Sequence, residues 1–105
     1  MANLYDWIME EAGSEVIEGI VIGDPPFCAD DIPKLDIQFN KLLKWDDVKD
    51  LLHYKFDDSF GSEECHPITV WTTTKVMFIG YYDGSTWITT VPRNPCDDIP
   101  QFVGG

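Results

Sequence analysis

Residues Lys75–Tyr82 and Ser85–Val91 are two β-branched and aromatic runs joined by Asp83-Gly84 alone. A two-residue Asp-Gly connection between such runs is a hairpin turn, and its length leaves a single register. Tyr82 then pairs with Ser85, Tyr81 with Thr86, Gly80 with Trp87, Ile79 with Ile88 and Val76 with Val91. A glycine inside a strand weakens it unless something lies over the gap, and the indole opposite Gly80 is the size to cover it. One face of this hairpin carries Met77, Ile79, Tyr81 and Ile88; the other carries Val76, Phe78, Tyr82, Trp87 and Val91. Both faces are apolar, so each needs a cover, and the rest of the chain has to supply it or leave a face for a partner.

Ile68–Trp71 adds a third strand, which makes the C-terminal part a meander. Upstream, the β-branched run Val16–Ile22 reads as a strand that ends at Gly23-Asp24-Pro25-Pro26, a turn that cannot continue a ladder. Lys34–Asn40 alternates polar and apolar residues without a fault, which predicts a half-exposed strand with Leu35, Ile37 and Phe39 facing a core. Helical spacing appears twice. Leu4, Trp7, Ile8 and Ala12 define a helix over residues 4–12, opened by an Asn3/Asp6 capping pattern and stopped by Gly13. Trp45, Val48, Leu51 and Leu52 define a second over 45–53, with Asp46 and Asp47 at its positive end. A short strand is expected at Tyr54–Phe56. The expected fold is α+β in one domain, residues 1–105: an antiparallel sheet of about five strands, a C-terminal three-stranded meander, and two short helices on one face.

A chain of 105 residues that is 44% hydrophobic, with 4 Trp, 4 Tyr and 6 Phe, has the material for a core of its own and is too aromatic for disorder. The N-terminus lacks the basic start and apolar run of a signal peptide, and no segment approaches the ~20 apolar residues of a membrane span. Cys28, Cys65 and Cys96 are odd in number and widely spaced, unlike a secreted disulfide framework. Cytoplasmic residence with free thiols is the expectation.

The surface of that core is strongly anionic. The formal net charge is −12, and Asp6, Glu10, Glu11, Glu15, Glu18, Asp24, Asp30 and Asp31 all precede Lys34, the first basic side chain. Such a field attracts a basic partner and opposes direct binding of nucleic acid or anionic lipid. A protein can occupy a nucleic-acid groove by presenting carboxylates where phosphates sit, because the groove's Lys and Arg already meet spaced negative charge. The residues suited to that contact are Glu10 and Glu11 of the first helix, Asp30 and Asp31, and Asp57, Asp58, Glu63 and Glu64 in an irregular loop expected to be exposed. Acidity for solubility alone is the competing account.

Other chemistries find less support. The 57–64 loop lacks the ligand spacing of a twelve-residue calcium loop. Cys28, Cys65, Cys96 and His66 include zinc-ligand types but no Cys-x-x-Cys pair. His53 and His66 come with no nucleophile motif, and no glycine-rich phosphate loop is present, so the chain reads as a non-enzyme without cofactor or metal. Arg93, the only arginine, is held between Pro92 and Pro95 and suits a fixed bond to a carboxylate, within the chain or outside it.

The stretch from Tyr54 to Pro95 resembles short proteins encoded by tailed phages. The resemblance rests on Phe56-Asp57-Asp58-Ser59-Phe60-Gly61, Glu64-Cys65-His66-Pro67-Ile68, Val70-Trp71-Thr72, Tyr82-Asp83-Gly84-Ser85-Thr86 and Val91-Pro92-Arg93-Asn94-Pro95, about two-fifths of the chain. As a group, small acidic phage proteins resemble inhibitors of host defence, including anti-CRISPR and anti-restriction factors that mimic DNA. The resemblance implies a non-enzymatic inhibitor of a basic, nucleic-acid-acting host protein and carries over no residue role. Two alternatives share the same residues: an interaction or structural module whose acidity serves solubility, and an immunity-type inhibitor of a toxin nuclease.

Overall fold

A computed structural model describes residues 2–25, 32–59, 65–82, 85–100 and 102. Asp30, Asp31, Glu63, Glu64, Cys28 and the Asp83-Gly84 turn lie outside the described residues. The chain runs β1 (Ala2–Asn3), α1 (Leu4–Ala12), β2 (Ile17–Ile22), β3 (Leu42–Leu43), α2 (Trp45–Val48), a 3₁₀ turn (Lys49–Leu52), β4 (Lys55–Phe56), β5 (Ile68–Thr72), β6 (Lys75–Tyr82) and β7 (Ser85–Pro92). The fold is α+β: a five-stranded antiparallel sheet in the order β3-β2-β5-β6-β7, with a separate two-stranded sheet of β1 and β4.

The hairpin register is the one its turn length demands. Tyr82 faces Ser85, Gly80 faces Trp87 and Val76 faces Val91. A methyl group placed on Gly80 would lie 2.7 Å from Cε2 and Nε1 of Trp87, so the indole occupies the space the glycine vacates. In a two-residue hairpin the closing pair is hydrogen-bonded, so the N–H groups of Thr86, Ile88 and Thr90 point away from β6, toward the open edge of the sheet. Thr86 N–H meets the carbonyl of Asp58 there at 2.7 Å. Pro92 falls at the same parity, where its missing N–H costs no ladder bond.

One sheet face is covered. Leu4, Ile8 and Ala12 of α1, with Val48 and Leu52, bury Ile20, Ile22, Ile68, Val70 and Met77. Ile79 and Ile88 pack against this cluster, as the inward face of the hairpin requires. α1 starts where Asn3 Oδ1 accepts the Asp6 N–H at 3.2 Å and stops at Gly13, whose φ of 60° and N–H to the Met9 carbonyl close the last turn. The opposite face carries Trp71, Val76, Phe78, Trp87, Tyr82 and Val91. β2 joins the sheet edge to edge rather than lying across this face, and no described helix covers it.

Three expectations need correction. Lys34–Asn40 is not a strand. Its side chains alternate as anticipated, with Leu35, Ile37 and Phe39 half-buried against the core and their neighbours exposed. Its backbone forms no ladder, because β3 takes the edge of β2 instead, pairing Ile20 with Leu43 and Val21 with Leu42. Asn40, at φ 63°, turns the chain onto that edge and donates its N–H to the Ile22 carbonyl. The second helix tightens after Val48 into the 3₁₀ turn, which rotates Leu51 to the surface at 40% exposure while Leu52 stays buried. Asp57 and Asp58, expected in an exposed loop, are half-buried.

Candidate functional site: an acidic cleft between the first helix and the sheet edge

α1 lies across the inner face of the sheet with Trp7, Glu10 and Glu11 on the side toward β7. Asp58 approaches the same edge from the chain following β4. Its carbonyl is held by the Thr86 N–H, and Asp57 Oδ1 accepts the Ser59 N–H at 3.0 Å, an Asx turn that shapes the segment around Asp58. Between these elements is a cleft of about 300 Å³ lined by Trp7, Glu10, Glu11, Asp58, Thr86, Trp87 and Ile88. Three of the anticipated partner-contacting residues therefore meet in one place, although they come from positions nearly fifty residues apart. Asp57 stands beside the cleft in its Asx turn; Asp30, Asp31, Glu63 and Glu64 are outside the described residues.

The cleft is distinguished by what its charges lack. Among the described residues Glu10, Glu11 and Asp58 make no ion pair. Nearby cations are engaged elsewhere. Lys75 Nζ donates to the Glu11 main-chain carbonyl at 2.7 Å, at the negative end of α1, and lies 3.7 Å from Glu15. Arg93 is bound within the chain, 2.6 Å from Glu18 and 2.9 Å from the Thr72 carbonyl. Thr86 is 5% exposed, and its hydroxyl oxygen is buried with no hydrogen-bond partner.

Glu15 has a different task from its acidic neighbours. One of its carboxylate oxygens accepts the Thr74 hydroxyl, the Thr74 N–H and the Thr72 hydroxyl at 2.8, 2.8 and 2.9 Å. These bonds, Thr74's foremost, hold its pKa below the usual carboxylate value. Glu15 thus ties the end of α1 to the β5–β6 turn, and Glu18 and Glu15 together remove two acids from the pool open to a partner.

A second polar constellation lies inside the core, where the sequence offered no sign of it. His66 is fully buried, stacked on Phe39 at 6.1 Å. Tyr54 Oη accepts the His66 N–H at 2.9 Å and lies 2.6 Å from its Nδ1. Both contacts are satisfied when the phenol donates to Nδ1, which leaves the ring proton on Nε2 with no acceptor. Burial pushes the His66 pKa down, against a smaller opposing pull from Asp24, and pushes the Tyr54 phenol up. His66 belongs to the core, and Tyr54 is half-buried beside it. Cys65 beside it is buried and Cys96 is exposed, and among the described residues no three His, Cys, Asp or Glu side chains gather as metal ligands.

The open aromatic face is the other surface of note. Leu42 at 70% exposure and the Glu18–Arg93 pair flank Trp71 at a shallow hollow there. No described helix is long and apolar enough to cross a membrane. Comparison of the chain with protein-family models, with curated proteins and with solved structures finds no match.

Proposed function

We propose that this protein is a non-enzymatic, phage-type inhibitor that binds a basic, nucleic-acid-acting host protein in the host cytosol and blocks its nucleic-acid groove. The observation that carries the reading is the convergence of Glu10, Glu11 and Asp58, none of them in an ion pair among the described residues, around a cleft that Trp7 also lines. Unpaired carboxylates meet Lys and Arg placed for phosphates, and the long-range field of a −12 protein speeds encounter. Trp7 at the cleft supplies a close contact that slows dissociation. An anti-CRISPR or anti-restriction target and a toxin nuclease both fit this chemistry.

A pull-down from host lysate, eluted by a salt gradient and analysed by mass spectrometry, tests the proposal. A nucleic-acid-binding protein should be released at moderate salt and displaced by added DNA. The variant Glu10→Gln/Glu11→Gln/Asp58→Asn should recover much less of it while remaining folded. The open sheet face favours a second reading, an interaction module that uses Trp71, Phe78 and Val76. That reading requires a partner retained at high salt and indifferent to the triple variant, and such a partner would replace the first reading.

A further inference from the structure

We infer that the open edge of the sheet, strand β7, receives a strand of the partner by main-chain pairing. The incoming strand alternates basic side chains, turned toward Glu10, Glu11 and Asp58, with apolar ones turned to the side of Trp87 and Val91. This rests on the reading that the partner is basic and adds the form in which its basic residues arrive.

The two edges of the sheet are built differently. At one, β3 is two residues long and lies between the exposed Lys41 and Lys44, and short strands and lysines are what keeps an edge from being extended. At the other, β7 runs for eight residues, Ser85–Pro92, with no charged side chain. Of its outward N–H groups, that of Thr86 goes to the Asp58 carbonyl and Pro92 has none, while those of Ile88 and Thr90 meet nothing among the described residues. The same two residues turn their carbonyls outward, so an added strand finds a donor and an acceptor at each.

The two sides of this edge select the strand. On the inner side, Glu10, Glu11 and Asp58 share a cleft with Thr86 and Ile88 and make no ion pair among the described residues. On the outer side are Trp87 and Val91, the latter 42% exposed. Successive residues of a strand fall on the two sides in turn, so Lys or Arg at every second position meets the carboxylates and the residues between them extend the apolar face. A second copy of this chain is the wrong occupant, because it would bring its own Glu10, Glu11 and Asp58 to the same seam.

The test is an NMR titration of the ¹⁵N-labelled protein, with amide hydrogen exchange, using three capped peptides. One alternates lysine and valine, one has the same composition with all lysines first, and one is the alternating peptide with every amide N-methylated, which keeps the charge and removes the ladder donors. The alternating peptide should shift the Ile88 and Thr90 amide signals, slow their exchange, and bind roughly tenfold more tightly than the other two. Thr90→Pro removes an outward donor and no bond to β6, and it should weaken the alternating peptide alone; the N-methyl comparison is made on the unaltered protein and does not depend on how that variant folds. Equal binding by all three peptides, binding by none, or binding that leaves the Ile88 and Thr90 signals in place would overturn the strand pairing. Protection of those two amides that grows with protein concentration without peptide would assign the edge to a second copy and overturn it too. The basic-partner reading falls separately, when the lysate experiment yields no protein released by salt.

Discussion

Gly80 and Trp87 show how much a single pair reveals when a turn dictates which residues face each other. The two-residue connection sets the pairing, and the space above Gly80 is filled by the indole. Gly80→Ala places a methyl 2.7 Å from that ring. Overpacking of this kind costs about 1–3 kcal/mol, offset in part by alanine's smaller entropic loss, so a net destabilisation with a changed near-UV circular dichroism band is expected. An unaltered melting temperature and spectrum would show that the indole is not seated on the glycine. His66 is the opposite case, since nothing in its neighbours in sequence announces a fully buried imidazole held by a phenol twelve positions earlier. Its folded pKa lies below the unfolded value of about 6.5, so the unfolded chain takes up a proton that the folded chain refuses. Its contribution to stability is complete above about pH 6.5 and is lost as pH falls toward the lower, folded pKa. Urea midpoints measured from pH 7.5 to 5 should decline, and His66→Gln should flatten that decline even though it lowers stability throughout.

Among elements, those governed by local signals were legible. The Asn3 cap, the Gly13 stop and the meander follow from residues within one turn or one hairpin of each other. Asn3→Ala should cost about 1 kcal/mol, read as a lower urea midpoint with an unchanged slope. Lys34–Asn40 marks the limit. Alternation reports which side chains face a core, and Leu35, Ile37 and Phe39 do face it, but a ladder also needs a free edge, and Leu42–Leu43 already holds the edge of β2. Neither that pairing nor the one between Ala2–Asn3 and Lys55–Phe56 has a local signature, since two residues are too few to show a period. The cleft was half legible for the same reason: charge pairs name Glu10, Glu11 and Asp58, whereas the roles of Thr86 and Trp7 depend on how α1 crosses the sheet. Glu15 links those two elements. Its carboxyl is held below the ordinary pKa, so the link is complete above about pH 4.5 and weakens as pH falls through the lowered value. Glu15→Ala should therefore remove part of the acid sensitivity of unfolding and loosen amide protection at Thr74.

At the scale of the whole molecule, charge and apolar surface are laid out separately. Self-repulsion at −12 works against the compact state and is screened within a Debye length of about 8 Å at physiological salt. The melting temperature should accordingly rise from low to physiological ionic strength in sodium chloride, whereas binding of the partner should weaken over the same range. A melting temperature that falls with salt would mean that pairs such as Arg93–Glu18 outweigh the repulsion. The covered face of the sheet holds the buried core; the uncovered face of Trp71, Phe78 and Val76 is surface that the described helices do not reach. The two ends of the described chain are just as unequal. Ala2 is buried and paired with Phe56, whereas residues 91–100 are exposed throughout. An affinity handle or fluorophore for any of these experiments belongs after Pro100, because a fusion ahead of Ala2 would pull on the small sheet that anchors α1 above the cleft.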